Sequence, residues 1–139
     1  MRKFSLLVLI LTIGLTSCKN GEQKSEGPTQ MQEVMAVHDN LMPKMSELSS
    51  LMGELDTKID STEASVKYQN AKKDLESSHE AMMEWMKDFG TKFDSEEILK
   101  GKELNEEKKA LLNQEQKEVQ DLEHQIETSI SNAKNLLAE

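Results

Sequence analysis

The sequence is poor in cysteine, proline, glycine and aromatic residues: among 139 residues there are one cysteine, two prolines, six glycines, three phenylalanines, one tyrosine and one tryptophan. A lone cysteine excludes an internal disulfide framework, and so few glycines and prolines exclude a collagenous or turn-rich all-β chain. Basic residues are also scarce, 17 against 26 acidic ones, for a formal net charge of -9. That excess repels phosphates, so electrostatic nucleic-acid binding is not expected. The length allows one compact domain.

The one long apolar run lies near the start. Arg2 and Lys3 precede Phe4 to Leu15 (FSLLVLILTIGL), a run of 12 residues. A membrane-spanning helix needs about 20, so the run reads as a signal peptide over residues 1–17. It ends in Leu15-Thr16-Ser17-Cys18, which resembles the lipobox of bacterial lipoproteins. The resemblance implies cleavage before Cys18, a diacylglyceryl group on its thiol and, usually, an acyl chain on the new amino group. Two or three chains make a stable anchor, whereas one holds marginally.

Lipid would also cap a thiol that has no partner within the chain. Removal of residues 1–17 leaves 15 basic residues against 26 acidic ones, a net charge of -11. Anionic head groups repel such a body, so the anchor must hold it at the membrane. Lys19 follows the cysteine. Under the familiar bacterial sorting rule, the absence of aspartate there implies the outer membrane of the cell envelope. Residues 18–29 read as a lipidated N-terminus and flexible linker, because KNGEQKSEGP at 19–28 has no large apolar side chain to bury.

The remainder, residues 30–138, reads as one helical domain. Thr29 and Gln32 have the spacing of a capping box. Behind them Met31, His38, Met45, Met52 and Ile59 alternate with Val34, Leu41, Leu48 and Leu55 in a 3-4 repeat. This repeat draws one stripe along a helix. Pro43 predicts a kink between Asp39 and Pro43, and Gly53 is a second weak point. A reversal is expected at Asp60-Ser61-Thr62-Glu63.

A second stripe follows in Ala64, Tyr68, Ala71, Leu75, Met82, Trp85 and Phe89, with Gly90 as the expected left-handed terminus. Asp94 to Lys100 reads as a short helix ended by Gly101. A last long helix from Asn105 would bury Leu112, Val119, Leu122, Ile126, Ile130, Ala133 and Leu137. No segment alternates like a strand. The expected fold is all-α: an antiparallel, coiled-coil-like three-helix bundle, up-down-up. A helical hairpin completed by a second chain is the alternative.

MQEVMAVHDNLMPKM at 31–45 and HEAMMEWMKDF at 79–89 give the mature chain a further resemblance. It is similar to a family of small bacterial lipoproteins labelled viral A-type inclusion protein. That resemblance implies no enzymatic activity.

Eight methionines remain beyond Met1, in two clusters: Met31, Met35, Met42, Met45 and Met52, then Met82, Met83 and Met86. A reversal near residue 60 would set His38 opposite Met83, Met42 opposite His79, and Met35 opposite Met86, give or take a turn. Thioethers with imidazole suit Cu(I) or Ag(I), which makes His38, Met42, Met45, His79, Met82, Met83 and Met86 candidate ligands. Methionine is equally an adaptable core filler.

His79-Glu80-Ala81-Met82-Met83 opens like the zinc-peptidase motif HExxH but carries Met83 at its second histidine position, which removes that chemistry. Covalent haem needs CxxCH and cannot form with one cysteine. His38 and Asp39, adjacent on a helix, point about 100° apart and are not expected to form a dyad. His124 is expected on the exposed face. No Gly-rich phosphate loop, GxSxG elbow or cysteine nucleophile is present.

Two functional classes follow. The first is a non-catalytic, lipid-anchored interaction or structural module. It would use its acidic helical faces, or an exposed edge of Met82, Met83, Met86, Trp85 and Phe89, to dock an envelope protein or a second copy. The second is a Cu(I) or Ag(I) buffer or carrier. An enzyme has no positive motif.

Overall fold

The computed structural model describes residues 28–138, so the expected leader, Cys18 and most of the linker lie outside the described residues. The described chain is all-helical: α1 spans Gln30–Asp56, α2 Val66–Lys92, α3 Ser95–Lys100 and α4 Glu106–Leu137. Each of the three long helices packs against the other two.

The capping box starts α1 as expected. The Thr29 hydroxyl accepts from the Gln32 amide at 3.3 Å, and the Gln32 side chain accepts from the Thr29 amide at 2.8 Å. α1 continues through Pro43. The proline is exposed and off the stripe, so its missing amide leaves the buried face intact. Ile59 falls beyond the last helical turn, in the reversal. There the Asp60 carboxylate accepts from the Thr62 amide at 2.8 Å and from its hydroxyl at 2.5 Å. The buried Ser65 hydroxyl closes the turn onto the carbonyls of Asp60 and Thr62.

Gly90 does not end α2, which runs on to Lys92. The reason lies one turn further along. Phe93 falls four residues after Phe89 on the same stripe, is buried, and has its ring centroid 4.9 Å from that of Phe89. Ending the helix at Gly90 would have lost that contact. Gly90 is therefore an ordinary exposed helix residue, and an added Cβ would meet nothing within 4 Å. Gly90→Ala should accordingly raise unfolding stability by about 0.5 to 1 kcal/mol in denaturant titrations. A lowered midpoint would refute helical continuation past Gly90.

α3 and its stop agree with the sequence reading. Asp94 caps the amides of Glu96 and Glu97 at 2.8 and 3.0 Å, and Gly101 takes the left-handed conformation at φ 68°. The Glu97 amide, then the Lys102 ammonium, hold the Asp94 carboxyl at about 2, below its ordinary 3.8. Because the folded value lies below the unfolded one, the cap stabilises α3 above about pH 4 and weakens as pH falls towards 2. Amide exchange at Glu96 and Glu97, corrected for intrinsic rates, should therefore quicken over that window. Constant protection would contradict the cap.

The core is one continuous cluster. Val34, Leu41, Leu48 and Leu55 of α1 meet Leu75, Met82, Trp85 and Phe89 of α2 and Val119, Leu122, Ile126 and Ala133 of α4. Cross-links between helices fix their levels. Gln30 on α1 donates to Asn113 and Gln116 on α4, each at 2.7 Å, and Lys44 pairs with Glu127 at 2.8 Å. Lys134 also reaches Glu47. Between α2 and α4, Ser78 bonds Ser129 at 3.0 Å and Lys92 bonds Glu115 at 2.6 Å.

Candidate functional site

The candidate residues lie on α1 and α2, and the stripe decides which are inside. Trp85 and Phe89, expected on an exposed docking edge, are core residues at 7% and 4% exposure. This correction has a direct cause. They stand at successive 3-4 positions with Met82, itself fully buried, and the stripe is the face the bundle consumes.

Trp85 stacks on Phe89 with ring centroids 4.9 Å apart, and the His38 ring lies 5.9 Å from that of Trp85. His38 therefore meets Trp85 on the facing helix, within a turn of the expected Met83. Its Nδ1 lies 3.0 Å from Asp39 Oδ1. Adjacent helical side chains thus do meet here, contrary to the sequence expectation. That contact orients the His38 imidazole.

The methionines divide by exposure. Met82 is buried, Met45 and Met86 are half-buried against the core, and Met42 and Met83 are 40% and 52% exposed. His79 is half-buried, and His124 is exposed with Nδ1 3.2 Å from the Thr128 hydroxyl. Among the described residues, no group of three or more His, Cys, Asp or Glu side chains could hold a metal ion.

Sequence reasoning missed the polar residues of the core. Ser78, Glu115 and Ser129 are buried. The spacing held the signal: 112, 115, 119, 122, 126, 129 and 133 form an unbroken 3-4 repeat, of which only the apolar members were read as core. Glu115 is fully buried. Its Oε1 accepts from Lys92, whereas Oε2 has no hydrogen-bond partner. Lys92 also bonds Asp88 at 2.6 Å, and Asp88 and then Glu115 hold its ammonium above the ordinary lysine range. At the same end Glu97 bonds Lys108 at 2.5 Å, and that lysine first, then the Asp94 amide, lowers the Glu97 carboxyl.

No helix among the described residues is long and apolar enough to cross a membrane. No family model, curated protein or solved structure matches the chain.

Proposed function

We propose that this chain is a lipid-anchored helical protein of the bacterial cell envelope, acting as a non-catalytic interaction or structural module. The observation that carries this reading is the division of labour along the chain. The described helices turn their apolar stripes into one shared core, and none is fit to cross a bilayer. Attachment then falls to Cys18, which closes the lipobox-like Leu15-Thr16-Ser17-Cys18. Residues 1–17 are the leader, 18–29 the anchored linker and 30–138 the body, placed at the outer membrane by Lys19.

The body is read as an up-down-up bundle. Gln30 with Gln116, Lys44 with Glu127 and Glu47 with Lys134 rise together in number, which supports α1 and α4 running the same way. Ser78 with Ser129 and Lys92 with Glu115 run oppositely, which supports α2 reversing between them. Likeness to the small lipoproteins labelled viral A-type inclusion protein belongs to the same proposal. Fractionation tests it: the wild-type chain should sediment with membranes and Cys18→Ser should not. Equal distribution of the two would overturn the anchor.

One observation favours a second reading, Cu(I) or Ag(I) binding at the α1–α2 seam. Asp39 engages Nδ1 of His38 beside Trp85. A carboxylate on one ring nitrogen orients the other towards a ligand. Anaerobic Cu(I) titration against a chromophoric chelator should then show competition that weakens in His38→Ala and in His79→Ala with Met83→Leu. Equal competition by all variants would remove this reading.

A further inference from the structure

Most of the methionines are gathered on one seam. On α1, Met35, His38, Met42, Met45 and Met52 follow a 3-4 spacing, and the row continues to Asp56. Two contacts set this row against α2: the His38 ring lies 5.9 Å from that of Trp85, and Asp56 accepts from Lys72 at 2.7 Å. On α2, His79, Met83 and Met86 follow Lys72 at helical spacing and so share its row. α4 has no methionine at all.

Exposure sorts these side chains into tiers. Met42 and Met83 are 40% and 52% exposed, Met35, Met45, Met52 and Met86 are partly buried against the core, and Met31 and Met82 are buried. A thioether in water is open to two-electron oxidants, and its sulfoxide is polar where the parent side chain is apolar. The tiers therefore differ in consequence as well as in access. An S=O group on Met42 or Met83 keeps its hydration, whereas one on Met45 or Met86 meets apolar neighbours and must regain water to be satisfied.

We propose that the α1–α2 seam is a methionine oxidation site that responds to peroxide in two steps. Peroxide first converts Met42 and Met83 to sulfoxides with the bundle intact; oxidation of the partly buried methionines then parts α1 from α2 around Trp85. In each event the thioether sulfur donates a lone pair to one peroxide oxygen, and an S–O bond forms as the O–O bond breaks. The departing hydroxide takes the proton from the oxygen now on sulfur and leaves as water. Sulfur loses two electrons and the peroxide gains them. α1 and α2 stay attached to α4 through Lys44 to Glu127 and Ser78 to Ser129, so the loosening is confined to one seam. Neither the lipid anchor nor a bound metal enters the step.

Trp85 is the only tryptophan, and its contact with His38 makes its emission a report on the seam. Detergent-solubilised protein from membranes would be treated with excess hydrogen peroxide, and sulfoxide at each methionine followed by tandem mass spectrometry beside emission and circular dichroism. Met42 and Met83 should react at least about tenfold faster than Met82, with emission unchanged during that phase. The emission should then move to longer wavelength as Met35, Met45, Met52 and Met86 react. Methionine sulfoxide reductase should reverse that shift, which oxidation of the indole would not allow. Replacing those four by leucine, a swap of similar volume, should keep the first phase and remove the shift.

Met82 oxidised as early as Met83, sulfoxide on the partly buried methionines without an emission shift, or the same shift in the leucine variant would overturn the proposal. The first two are read from the wild-type chain alone, whatever the fold of the leucine variant.

Discussion

Trp85→Ala should lower unfolding stability by about 3 to 5 kcal/mol, the range for deleting a large buried aromatic. The indole meets both the His38 and the Phe89 rings, and Phe89 in turn meets Phe93, so four rings from α1 and the end of α2 share contacts. Domains of this size commonly have about 5 to 15 kcal/mol in total, so the loss is a large share. Trp85→Phe keeps most of the packing and removes the unpartnered N–H. It should cost less than about 1.5 kcal/mol. Guanidinium titrations of both variants test this, and equal losses would show that the ring's volume does not support the core.

Lys92→Met should cost about 3 kcal/mol, at the low end for breaking a buried pair because Lys92 keeps some exposure. The change strips Glu115 of its one hydrogen-bond partner, and Oε2 is already without one. A carboxylate inside the core then has nothing to offset its lost hydration. Replacing both members, Lys92→Met with Glu115→Leu, should return stability to the wild-type value or above it, since an apolar pair suits the stripe. A double variant as unstable as Lys92→Met alone would place the cause elsewhere.

The pH dependence has a definite sign. The Lys92 value is raised on folding, so its contribution is complete below the unfolded value of about 10.5 and fades only as pH rises through the higher folded one. The wild type and Lys92→Met should therefore differ fully at neutral pH, and the gap should narrow only above about pH 10.5. The buried pair also offers a reason for register. α2 and α4 present similar apolar stripes that could slide by a turn, and a slip would separate Lys92 from Glu115 and Ser78 from Ser129 together.

Much of the body was legible because its signals are local. Thr29 with Gln32, Asp94 before α3, Gly101 after it and Asn105 before α4 each act within one turn, and each marks a boundary in the structure. The apolar stripes were legible because the 3-4 period is strict. The errors came where tertiary contact outweighed the local signal. Phe93 carries α2 past Gly90, and the shared core absorbs Trp85 and Phe89, whose size and apolarity alone could not say whether they face a partner helix or a partner protein.

The candidate site was less legible for a related reason. A 3-4 repeat says that a position faces inward, but not which side chain meets it across the interface, so a reversal near residue 60 sets His38 opposite Met83 only to within a turn, and its ring lies 5.9 Å from that of Trp85. Glu115 was overlooked because its charge argued for the surface while its spacing argued for the core.

The intact mass of the protein extracted from cell membranes puts the account at most direct risk. We expect a polypeptide beginning at Cys18 with a diacylglyceryl thioether; a chain that keeps residues 1–17, or one that starts at Cys18 with a free thiol, would contradict it.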